Sequence, residues 1–129
     1  MESGVGVRGR LYDSTGSPVG AEFDVSDSFQ YDYWDAPMVA IGDTEFMVVW
    51  DAPVDELPVA TTSQLAGPNI GDVFGRRFAR GDAAPIGTEF VVPQFNEGQQ
   101  FQPDAASNGT DAYVVAWGSS DRPLLDDLA

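Results

Sequence analysis

The segment Pro18-Val19-Gly20-Ala21-Glu22-Phe23-Asp24-Val25 occurs twice in this chain, the second time as Pro85-Ile86-Gly87-Thr88-Glu89-Phe90-Val91-Val92. Its neighbours repeat with it. Val7-Arg8-Gly9-Arg10-Leu11-Tyr12 returns as Val73-Phe74-Gly75-Arg76-Arg77-Phe78, and Pro37-Met38-Val39-Ala40 is echoed by Pro103-Asp104-Ala105-Ala106. Phe46-Met47-Val48-Val49-Trp50 matches Tyr113-Val114-Val115-Ala116-Trp117. The offset stays at 66 or 67 throughout, so the chain is an internal duplication covering residues 5–50 and 70–118. A fixed period of this kind marks one supersecondary unit used more than once.

Each copy reads as four short strands. In residues 20–26, Ala21, Phe23 and Val25 alternate with Glu22 and Asp24, the period-2 pattern of a half-buried strand. Residues 5–13 alternate less regularly, and the intervening Asp13-Ser14-Thr15-Gly16-Ser17-Pro18 has the chemistry of a turn. A third strand over 37–41 leads through Gly42-Asp43-Thr44 into a fourth over 45–51, a continuous apolar run suited to burial on both faces. The equivalent turn in the second copy, Asn108-Gly109-Thr110, contains a strong hairpin dipeptide. No segment shows a capped helical period. The expectation is a single all-β domain over 1–129, antiparallel, with a long loop at 51–72 and a C-terminal tail at 119–129.

Composition bounds the function. Twenty-one acidic residues face six basic ones, all Arg, for a net charge of −15. Phosphate backbones and anionic membranes are repelled by such a surface, which argues against nucleic-acid and membrane partners. No run approaches the ~18 apolar residues of a spanning helix. The N-terminal Met1-Glu2-Ser3-Gly4 shows no secretory signal. An acidic balance suits saline surroundings, and equally an ordinary acidic domain; the absence of Cys fits either side of a cell envelope.

Taken together, G-x-R-[LF]-[YF], P-[VI]-G-x-E-F-x-V, P-x-x-A and the apolar run closing on Trp resemble a bacterial β-propeller-like repeat found in tandem in large secreted and surface proteins. The sequence departs from that pattern at Ala79-Arg80-Gly81-Asp82 and in the loop 51–72. The resemblance implies a propeller-like fold and an extracellular or cell-surface setting, and it implies no reaction. It also sets the phase of the repeat. A blade runs 37–41, 45–51, 71–80, 87–93, and the two strands at each end of the chain form a second blade split across the termini. Unpaired edges invite partners. Copies are therefore expected to associate, three chains giving six blades and four giving eight. The alternatives are a monomeric eight-stranded barrel or sandwich with pseudo-two-fold symmetry, and a piece of a longer array.

Candidate chemistry is sparse. Without His, Cys or Lys, nucleophilic triads, Schiff bases and the usual zinc sites are unavailable, and no enzyme is expected. Only carboxylate chemistry of the glycosidase kind remains as an alternative. The connections after each second strand carry Phe29, Tyr31, Tyr33, Trp34 and Asp35, and Phe95, Asn96, Gln99 and Phe101. Aromatic faces beside amides and carboxylates suit glycan recognition, a protein interface, or satellite core. Calcium is the metal the composition permits, with Asp51, Asp55 and Glu56 in the long loop and Asp121, Asp126 and Asp127 in the tail as weak candidates. No other cofactor is expected. Arg10 and Arg76 are expected to pair with Glu22 and Glu89 across neighbouring strands, fixing register, with a ligand clamp as the alternative, and Trp50 and Trp117 are expected to be core. Arg80-Gly81-Asp82 spells an adhesion tripeptide where Gly81 has a turn to make, and Asn108-Gly109-Thr110 is formally a glycosylation sequon. The leading function is a non-catalytic binding and assembly module, with a purely structural repeat unit as its rival.

Overall fold

The computed structural model describes residues 6–27, 37–53, 71–94 and 98–120. They form eight strands: β1 (Arg8–Tyr12), β2 (Pro18–Asp24), β3 (Met38–Ile41), β4 (Glu45–Pro53), β5 (Gly71–Ala79), β6 (Pro85–Val91), β7 (Gln100–Ser107) and β8 (Tyr113–Ser119). The described residues contain no helix, and all pairings are antiparallel. The strands do not close into a barrel. They form a β1–β2 hairpin, a four-stranded sheet in the order β3-β4-β5-β6, and a β7–β8 hairpin. The four-stranded sheet thus lies in the middle of the chain, flanked by one hairpin on each side.

The central sheet is organised by β4. Opposed residues of an antiparallel pair share a face. Phe46 opposes Phe78, and Trp50 opposes Phe74, so one face carries these four aromatics with Val48 and Ala52. That face meets Val7, Leu11, Phe23 and Val25 of the N-terminal hairpin in one apolar core. Phe23 closes the contact with ring centroids 6.3 Å from Phe46 and 5.2 Å from Phe78. Met47, Val49 and Asp51 alternate onto the opposite face, against β7 and β8. There Gln102 N donates to Asp51 Oδ2 at 2.6 Å and the Tyr113 hydroxyl donates to Glu45 O at 3.1 Å. Every residue from Phe46 to Asp51 is buried, as an apolar strand between two layers requires. Burial of each large side chain here contributes about 1.5–3 kcal/mol.

The repeated motifs have local causes. Between Gly9 and Leu11 the β1–β2 register shifts, and it shifts again between Gly75 and Arg77 in β5–β6, which is why the first strand alternates imperfectly. At each bulge the glycine of P-[VI]-G takes a left-handed backbone, φ +82° at Gly20 and +81° at Gly87, which an L side chain resists. Its carbonyl is thereby turned to an arginine: Arg10 Nε donates to Gly20 O at 3.1 Å and Arg76 Nε to Gly87 O at 3.4 Å. The expected Arg10–Glu22 and Arg76–Glu89 ion pairs are therefore not formed. The bulge places three residues opposite one and takes the arginine off ladder register. Glu22 pairs with Arg8 instead, and Glu89 accepts from Asp27 N. The Phe of E-F-x-V covers the Gly of G-x-R on the facing strand, Phe23 over Gly9 and Phe90 over Gly75, where an added Cβ would fall within 3.0 Å of the ring.

Turns hold the hairpins through side-chain caps. Asp13 Oδ1 accepts from Thr15 N, Thr15 Oγ1 and Ser17 N, and Asn108 Oδ1 accepts from Thr110 N, Asp111 N and Ala112 N. Arg80 is committed to Gly42 O at 2.8 Å and Asp43 O at 3.2 Å, so the Arg80-Gly81-Asp82 turn locks onto the neighbouring β3–β4 turn.

Candidate functional site

Each hairpin is a two-stranded sheet, so among the described residues both of its strands have an edge without a sheet neighbour; the two that matter here are β1, on the side away from β2, and β8, on the side away from β7. In the central sheet the equivalent strands, β5 and β4, are paired with each other over nine residues. The edge of β1 borders a groove of about 310 Å3 whose walls include Leu11, Phe23, Val39, Ile41, Phe46 and Val48. It lies between the N-terminal hairpin and the exposed flank of β3. Val39 and Ile41 stand exposed on it, although their neighbour Ala40, pointing to the other face, is buried.

The duplication makes each exposed position comparable with its counterpart. Met47 is 5% exposed and Val114, its equivalent, 62%; Phe78 is 1% exposed and Tyr12, its equivalent, 59%. Ala40 is buried and Ala106 exposed; Val49 is buried and Ala116 exposed. In the other direction, Val39 is exposed while Ala105 is half-buried. Trp50 is fully buried, whereas Trp117, expected as core, is half-buried with its Nε1 donating to Gln100 Oε1 at 2.9 Å. Each position is buried where the described residues supply a neighbouring strand or layer and more exposed where they do not.

A second local device spans the first two layers. Arg76 Nη1 donates to Val25 O at 3.2 Å and pairs with Asp27 Oδ1 at 2.6 Å, while Glu89 Oε1 accepts from Asp27 N at 2.7 Å. The arginine also lies 5.5 Å from the centroid of Phe78. Arg10, its counterpart, lies 6.0 Å from the Tyr12 ring, and no carboxylate pairs with it among the described residues. The repeat motifs announced Arg10 and Arg76; which residues of the adjacent layer they face depends on how the sheets stack, and no sequence signal carries that.

The residues singled out for ligand chemistry are only in part placed. Phe29, Tyr31, Tyr33, Trp34, Asp35, Phe95 and Asn96 lie outside the described residues, as do Asp55, Glu56, Asp121, Asp126 and Asp127. Gln99 immediately precedes β7, its backbone joined to Ser120, and Phe101 lies within β7 with its ring over Gly118. Both therefore serve the β7–β8 pairing. Asp51 is fully buried and receives Gln102 N, a backbone whose positive φ of 53° is held by that bond. No group of three or more acidic side chains that could hold a metal ion occurs among the described residues. No helix there is long and apolar enough to cross a membrane.

No protein family, curated protein or solved structure matches this chain.

Proposed function

We propose that this chain is a non-catalytic assembly module whose copies join head to tail by strand addition. β8 of one copy pairs with β1 of the next, so that two half-units become a four-stranded sheet like β3-β4-β5-β6. Head-to-tail contacts of this kind close into rings when the rotation allows, here three or four chains in a propeller-like array. The observation that carries the reading is the exposure of Tyr12, Val39, Ala106, Val114 and Ala116, each at a position where its duplicate is covered or where only one neighbouring layer is missing. An exposed β1 edge with an apolar groove beside it is otherwise a liability for a folded protein.

The β4–β5 pairing supplies the register. Transposed through the duplication, Phe46↔Phe78, Met47↔Arg77 and Val49↔Gly75 become Tyr113↔Tyr12, Val114↔Leu11 and Ala116↔Gly9 between copies. Val114, Ala116 and Ala106 then face Val39 and Ile41 across the groove. Because the chain has no cysteine, a Leu11→Cys, Val114→Cys double variant is a clean probe of this register. Facing Cα atoms 4.5–5.5 Å apart admit a disulfide. Oxidation is expected to produce covalent oligomers from that pair and not from the shifted pair Leu11→Cys, Ala116→Cys. Equal cross-linking of both pairs sinks the register; no cross-linking of either sinks the strand pairing.

The aromatic connections at 29–35 and 95–101 carry the binding half of the proposal, recognition of glycans by stacking on Phe29, Tyr31, Tyr33 and Trp34 beside Asp35, Asn96 and Gln99. Its support is the residue chemistry of those segments. Saccharide-array binding that disappears in a Tyr33→Ala, Trp34→Ala variant is the expected result; a silent array with a normal oligomer mass favours a purely structural unit.

A further inference from the structure

The contact between the first two layers of the chain can serve as a template, because the duplication repeats the residues that make it. In the template, Phe23 of one layer touches Phe46 and Phe78 of the next, with Phe46 and Phe78 stacked at 5.4 Å, 19° between planes. Arg76 lies over Phe78 and reaches back across the layers to Val25 O and the Asp27 carboxylate, and Glu89 holds Asp27 N. The duplication gives every one of these residues a counterpart: Phe90 for Phe23, Tyr113 for Phe46, Tyr12 for Phe78, Arg10 for Arg76, Glu22 for Glu89, Val92 for Val25 and Gln94 for Asp27.

Within one chain the counterparts are divided. Phe90, Val92, Gln94 and Tyr113 sit on the β6 and β8 side, while Tyr12, Arg10 and Glu22 sit on the N-terminal hairpin. The second group already has half of the template's geometry, with the Arg10 guanidinium over the Tyr12 ring and Nε held by Gly20 O. Phe90 and Tyr12 are both exposed.

We infer that Arg10 and Tyr12 of one copy form a clamp on the preceding copy: Tyr12 stacks on Tyr113 with Phe90 closing over both rings, and Arg10 grips Val92 O and the Gln94 side chain. Glu22 receives Gln94 N in the same contact, leaving the exposed Arg8, an ion pair that contributes little. The clamp rests on the assembly reading and names the residues that hold successive copies together. One substitution distinguishes it from the template. Gln94 is neutral where Asp27 is charged, so the clamp between copies lacks the ion pair of the clamp within the chain.

That difference supplies a test whose sign is diagnostic. Gln94→Asp adds a negative charge to a chain of net charge −15, which weakens association if charge acts only at long range. If Arg10 faces position 94 across the interface, Gln94→Asp completes an ion pair and tightens association instead. Dissociation of the 129-residue chain is followed by light scattering over a dilution series. The expected results are about fivefold tighter association for Gln94→Asp, at the top of the range for a partly exposed ion pair, and a loss of that gain when Arg10→Ala is added. Tyr12→Ala is expected to weaken association at least tenfold while leaving the far-ultraviolet spectrum unchanged. Oligomers whose affinity ignores Arg10 and Tyr12, or that Gln94→Asp weakens, overturn the clamp and leave strand-addition assembly standing. A wild-type chain that is monomeric at every concentration overturns both.

Discussion

Phe46 and Phe78 stack at 5.4 Å across the β4–β5 seam, and Phe23 of the neighbouring hairpin closes over both. This three-ring cluster joins strand pairing to layer stacking: two of its members are opposed on adjacent strands and the third belongs to the next layer. Phe78→Ala opens a cavity that neither layer can fill and is expected to cost about 3–5 kcal/mol. Chemical denaturation measures it; a cost below about 1 kcal/mol would show that the seam is not a structural centre.

The left-handed glycines give a cleaner backbone test. Nothing lies within 4 Å of a Cβ added at Gly87 or Gly20, so substitution there meets only backbone strain. Gly87→Ala is expected to destabilise by ~1–2 kcal/mol, and Gly87→Asn by less, because Asn tolerates that region. Equal costs for the two variants would point to a cause other than φ.

Arg76 and Asp27 tie the first hairpin to the central sheet at 2.6 Å. The arginine side chain is nearly buried but Asp27 is partly exposed, so a double-mutant cycle with Arg76→Met and Asp27→Asn is expected to return a coupling of about 1 kcal/mol. A coupling of zero would mean that the arginine acts only through Val25 O, Gly87 O and the Phe78 ring.

Two groups report on pH. The Asp13 carboxyl is held below its ordinary 3.8 by the Thr15 hydroxyl first, then by the Ser17 and Thr15 amides. A depressed carboxylate stabilises the fold above its unfolded value, and that contribution disappears as pH falls through the folded value. An NMR titration is expected to place Asp13 below 3.8, rising towards it in Thr15→Ala. Tyr113 behaves in the opposite sense: burial, then the nearby Glu45 charge, raise its phenol above the ordinary 10.0. Its contribution is complete below pH 10 and is lost as pH climbs through the raised value. Tyr113→Phe keeps the ring that Phe46 uses at the equivalent position, removes the bond to Glu45 O, and is expected to cost about 0.5–1.5 kcal/mol.

Much of the fold was legible because the repeat carries its own punctuation. The period-2 run at 21–25 and the apolar run closing on Trp50 fall within or close to the strands observed, and the strands expected at 37–41, 45–51, 71–80 and 87–93 make up one four-stranded sheet, β3-β4-β5-β6. The Arg10–Glu22 and Arg76–Glu89 pairs do not form for a definite reason: cross-strand pairing assumes an unbroken ladder, and the bulges at Gly20 and Gly87 break it. Trp117 looks like core in sequence because its strand resembles that of Trp50. Its burial depends on a neighbouring strand, and only the sheet topology shows that the described residues supply none beside β8. The same holds for Arg10, Tyr12 and Gln94. Their residue types are ordinary, and their significance comes from the contacts their duplicates make.

Charge provides an independent prediction. Each copy carries −15, so bringing copies together is opposed at long range, and salt screens that opposition. Association is expected to tighten as ionic strength rises from about 0.01 M to 1 M, over which the Debye length falls from about 30 to 3 Å. Weakening over that range would mean that ion pairs dominate the interface.

The most direct test of the account is the solution mass of the unmodified chain by light scattering at high salt. Assembly through the open β1 and β8 edges predicts three or four times the 13.8 kDa chain mass. A mass of 13.8 kDa across the whole concentration range would contradict it.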